Sequence, residues 1–148
     1  MATYRADGIS RGTSALISLN EGSDNNVMLN HKASANYSFT KGSSKQAYPI
    51  STMGMISLLK QTYFDAQWYQ SINPPPFTDL TLTAWNSSQS IPQFFDTGGW
   101  LEILRADKLG DEFGVQYIIK GGGDEYQRIK EVKATNAQLI IPVTFPDA

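Results

Sequence analysis

The sequence predicts an α/β domain built on a mostly parallel sheet with flanking helices. Three observations in its second half carry that expectation. Between Pro92 and Pro146, apolar runs at 91–95, 115–119 and 139–145 alternate with amphipathic runs at 100–113 and 124–135. The links between them are short, the arrangement that gives parallel strands joined by right-handed helical crossovers. The runs at 117–119 and 139–143 are continuously apolar rather than alternating, so both of their faces are expected to lie under helices.

Taken in order, residues 13–19 read as a strand. A turn cluster at 20–26 follows, then a second strand at 27–29 that resumes at 33–39, making a hairpin or a mixed edge. After a polar Gly/Ser-rich stretch at 41–46, Pro49 with Ser51 or Thr52 opens the longest helix. Met53, Ile56, Leu59, Tyr63 and Ala66 fall at helical spacing there, and Met55, Leu58 and Trp68 widen the stripe, which predicts burial on more than one side. Pro74-Pro75-Pro76 cannot continue a helix. The link at 73–77 is accordingly the candidate sub-boundary in a single domain spanning 1–148. Thr78 is placed to cap a short helix with Leu80, Ala84 and Trp85 on one face, and a turn at 86–90 leads into the alternating stretch.

Within that stretch, Asp96 or Thr97 is positioned to cap a helix whose Ile103, Ala106, Leu109 and Phe113 form one apolar stripe. Gly114 stands where a left-handed closing residue is wanted. Asp124 is a good N-cap for the next helix, with Gln127 three residues on as in a capping box, a narrow apolar face of Tyr126, Ile129 and Val132, and Asn136 as the stop.

The totals exclude several functions. At 148 residues the chain is one domain, large enough to bury roughly 70% of its unfolded surface. A complete eightfold (β/α) barrel, at about 250 residues, does not fit. A net charge of −2 with both signs scattered gives no footprint for nucleic acid. No run approaches the roughly 18 apolar residues of a membrane span, and residues 1–8 hold no apolar signal core. The sequence reads as a soluble chain whose compartment is left open. Without cysteine there is no disulfide and no thiolate chemistry. The single histidine, His31, rules out a three-histidine metal site within one subunit, and no strained G-x-S-x-G turn is present to make a triad with it.

Gly121-Gly122-Gly123 lies between a strand and a helix, where backbone N–H groups can hold a phosphate. The spacing is wrong for a dinucleotide, because Tyr126 stands where the third glycine belongs and Asp124 with Glu125 brings negative charge to the phosphate position. A tight turn needing positive φ accounts for these glycines. Asp96, Asp124 and Glu125 end predicted strands, where α/β sites form, although helix capping alone explains the two aspartates. Arg5, Asp7, Arg11 and Lys120 each flank an apolar strand or a glycine. The candidate pocket residues are therefore Asp96, Lys120, Gly121, Gly122 and Asp124, with no metal ligand among them.

Two further segments carry a resemblance. Asp7-Gly8-Ile9-Ser10-Arg11-Gly12-Thr13-Ser14-Ala15-Leu16 and Met53-Gly54-Met55-Ile56-Ser57-Leu58-Leu59-Lys60-Gln61-Thr62 resemble the metal-dependent amidohydrolase superfamily in its imidazolonepropionase-like branch. Leu101-Glu102-Ile103-Leu104-Arg105-Ala106 and Ile118-Ile119-Lys120-Gly121-Gly122 resemble the same family's passage through the middle of its barrel. The resemblance implies a partial (β/α) TIM-barrel-like segment of a larger protein. That parent would be a hydrolase of non-peptide carbon–nitrogen bonds using zinc or another divalent metal, exported or periplasmic. It also implies a degenerate site: Phe94 and Phe95 stand where the family carries a metal-binding histidine, and Lys120 where it carries another. This chain is then expected to hold no cofactor and to lack the activity alone. Its partners would be the rest of the parent or a companion amidohydrolase domain, or, for the isolated segment, further copies of itself through exposed strand edges.

Overall fold

The computed structural model describes residues 7–19, 27–73, 75 and 77–142. Arg5, the expected turn at 20–26, Pro74, Pro76 and the end of the last apolar run at 143–145 lie outside them. Among the described residues five strands make one sheet in chain order: β1 (Ser10–Ile17), β2 (Met28–Ser38), β3 (Gln93–Asp96), β4 (Ile118–Lys120) and β5 (Gln138–Ile140). β1 runs antiparallel to β2 as a hairpin, and β2 through β5 are all parallel. The crossovers hold α1 (Thr52–Ser71), α2 (Leu80–Ser88), α3 (Trp100–Phe113) and α4 (Ile129–Ala134), the last preceded by a 3₁₀ turn, Glu125–Arg128. Parallel strands in sequential order with helical crossovers are the pattern of a (β/α) barrel cut open.

Strand alternation divides the sheet into two unlike faces. Tyr37, Phe95, Tyr117 and Ile119 point toward the helices and cluster with Leu59, Tyr63, Trp85, Ile103, Ala106 and Leu109 in the core. The opposite face carries Asn36, Phe94, Asp96, Ile118, Lys120 and Ile140, and the helices do not cover it. The expectation that β4 and β5 are buried on both faces therefore fails: Ile119 is fully buried, but Ile140 is 45% exposed. Continuous apolarity could not separate a doubly covered strand from one whose second face lines a barrel interior.

Local signals placed α3 correctly. Its Ile103–Ala106–Leu109 stripe is buried and Gly114 closes it in the left-handed region at φ 69°. In α1, Ser51 is the N-cap, its hydroxyl accepting from the Gly54 N–H at 3.2 Å. Burial there is one-sided, through Met55, Leu59, Tyr63, Ala66 and Tyr69, while Met53, Leu58 and Trp68 are exposed. Asp79, not Thr78, caps α2 by accepting from Thr81 and Leu82 N–H. The face of α2 that packs holds Trp85 and Leu82, and Leu80 and Ala84 face outward.

Three tyrosines meet in this core. Tyr63 and Tyr117 hydroxyls are 2.7 Å apart, and Gln89 Nε2 donates to the Tyr37 hydroxyl at 3.4 Å. Burial pushes the Tyr63 and Tyr117 phenols well above their ordinary value of 10.0, helped by Tyr37 beside Tyr63 and by Tyr63 beside Tyr117. The unfolded chain gives up these protons near pH 10, while the folded chain keeps them. Stability is thus fully present below pH 10 and falls as pH rises above it. Denaturant titrations on either side of pH 10 should show that loss, and a Tyr63→Phe/Tyr117→Phe double variant should flatten it. A wild-type curve that stays level through strong alkali contradicts the assignment.

Candidate functional site

The C-terminal ends of the parallel strands gather the polar residues. Register fixes their neighbours: Asp96 lies beside Lys120, and Lys120 beside Ile140, on the same face. Side chains at adjacent in-register positions come close enough to pair. Lys120 Nζ is 3.1 Å from Asp96 Oδ1, with the two side chains 53% and 29% exposed. Below them a cavity of about 160 Å³ is lined by Ser14, Ser34, Asn36, Phe94, Asp96, Lys120 and Ile140, with Tyr37 also reaching it.

Its floor is a closed ring of hydrogen bonds. Asn36 Nδ2 donates to Ser14 Oγ at 2.7 Å, Ser14 and Ser34 hydroxyls are 2.8 Å apart, and Ser34 Oγ donates to Asn36 Oδ1 at 3.5 Å. All three residues are buried, and this mutual pairing offsets their loss of water. Sequence reasoning missed them. The signal was present as period-two alternation, Ser34-Ala35-Asn36-Tyr37-Ser38, small polar residues interleaved with apolar ones.

The five predicted pocket residues divide. Asp96 and Lys120 line the cavity, whereas Gly121, Gly122 and Asp124 belong to an interlock between the loops after β3 and β4. Asp124 does not cap the helix that follows it, which starts as a 3₁₀ turn without a side-chain cap. Instead its Oδ1 accepts from the Trp100 N–H at 2.7 Å and caps α3, whose own N-cap position is Gly99. Neither Asp96 nor Thr97, the two expected caps, serves there: Asp96 pairs with Lys120, and Thr97 donates through both N–H and Oγ1 to the Lys120 carbonyl at 3.0 and 2.9 Å. A Cβ on Gly122 would run into the Gly98 carbonyl, and Gly123 takes φ 97°. The Gly123 N–H donates to the Glu125 carboxylate, so an internal anion occupies the place a phosphate would need. Tyr126 and Ile129, expected on an inward face, are each 65% exposed.

Replacing Asp124 by alanine removes the acceptor at the α3 N-terminus and should cost about 1 kcal/mol, while Asp124→Asn should keep most of it. Urea denaturation of both variants checks this, and equal losses would disprove the capping role. Lys120→Met should change stability by less than about 1 kcal/mol, because the pair is half open to water. A larger loss would mean the pair is shielded in solution.

The other flagged residues are structural or exposed. Arg11 is buried, its guanidinium donating to Thr40 Oγ1 at 2.8 Å, and Asp7 makes an isolated bridge with Gly42. His31 is exposed on β2. Among the described residues no three His, Cys, Asp or Glu side chains come together as a metal site, and no helix is long and apolar enough to cross a membrane. The donor chemistry at the strand mouth does not suit a divalent cation either. Among the described residues Asp96 is the one carboxylate in the cavity lining; it faces an ammonium group, and the inward residue of β3 beneath it is Phe94.

No family model matches this chain, and no curated protein does. A crystal structure of an amidohydrolase from Thermotoga maritima MSB8 superposes on it with a TM-score of 0.74 at 16% identity, over 94% of this chain. The chain spans 40% of that structure's length. At that identity the likeness is one of fold: the described strands and helices are arranged as a segment of an amidohydrolase-type (β/α) barrel.

Proposed function

We propose that this chain is an amidohydrolase-related segment of a larger exported protein. In this reading the parent hydrolyses carbon–nitrogen bonds outside linear peptides, and the segment alone is catalytically inactive. The segments at 7–16 and 53–62 support placing it in the imidazolonepropionase-like branch. One observation carries the inactivity: Lys120 and Asp96 pair at 3.1 Å at the strand mouth, where the family resemblance calls for a metal-binding histidine. A fixed ammonium repels a divalent cation and engages the carboxylate that could have bound one. After dialysis against zinc, the purified chain should retain no stoichiometric metal. One tightly held zinc per chain would overturn this reading.

The alternative role, a non-catalytic domain that binds a ligand or packs on a companion amidohydrolase domain, draws its support from Asp124. That carboxylate serves as a cap rather than converging on the cavity with Asp96 and Lys120. Packing is favoured over ligand capture, since the polar floor of the cavity is already self-paired. Thermal shift against amides, lactams and dipeptides separates the two: no rise in melting temperature supports packing, and a saturable rise identifies a ligand.

A further inference from the structure

We draw no further inference here: the strongest candidate, the groove between α1 and the start of α2 lined by Asp65, Trp68, Phe77 and Asp79, carries none because both carboxylates are already hydrogen-bonded within the chain, Asp65 to Gln61 and Asp79 to the first turn of α2, and nothing in the structure shows what covers the two exposed rings.

Discussion

Phe95→Ala should cost about 3–5 kcal/mol, a large share of the roughly 5–15 kcal/mol by which a domain is ordinarily stable. Phe95 is fully buried at the centre of the sheet's helix-facing side. Its ring lies 4.5 Å from Phe39, 5.1 Å from Tyr117 and 6.1 Å from Tyr37, centroid to centroid. Deleting it leaves a cavity walled by rings and strands that cannot collapse inward, and it removes three aromatic contacts as well as buried area. Phe94→Ala, one residue earlier on the half-covered face, is the control and should cost markedly less. Denaturant unfolding of both checks the assignment of faces. Equal losses would mean that the register of β3 has been read wrongly.

Gly110→Ala should destabilise by about 3 kcal/mol, although the same change in an exposed helix interior stabilises by about 1. Gly110 lies in the last turn of α3, where the chain bends back through Gly114 toward β4. The Val115 N–H donates to the Gly110 carbonyl at 2.9 Å. A Cβ at this position would fall on the Val115 carbonyl oxygen and come within 3.1 Å of the Tyr117 ring. Neither can yield cheaply: the oxygen is backbone, and the ring is held by the Tyr63 hydroxyl at 2.7 Å. Because the sign differs between the two environments, a melting curve decides it. A stabilised Gly110→Ala protein would show that the turn relaxes.

Much of the fold was legible because the relevant interactions are local. The α3 stripe at Ile103, Ala106 and Leu109 and the left-handed Gly114 are written within one stretch of chain, and the structure matches them residue for residue. The start of α1 at Ser51 or Thr52 is legible for the same reason, and the structure makes Ser51 the cap. The candidate site was legible in part. Lys120 was placed by the strand before it and the glycines after it, and its neighbour Asp96 by the parallel order of β3 and β4. Asp124 was misread. A capping carboxylate is usually sought for its own helix, and nothing in the local sequence says that the loop after β4 passes under the start of α3.

The sequence by itself determined most element types, their order and a mostly parallel sheet, since periodicity, caps and short links act over a few residues; it left the start open as a hairpin or a mixed edge. Only the tertiary structure decided which face each strand buries, that Ser14, Ser34 and Asn36 close into one ring, that Tyr126 and Ile129 stay exposed, and which helix Asp124 caps. Those outcomes depend on sheet register and on loops brought together from positions about 20 or more residues apart, distances over which one chain read alone carries no phase information.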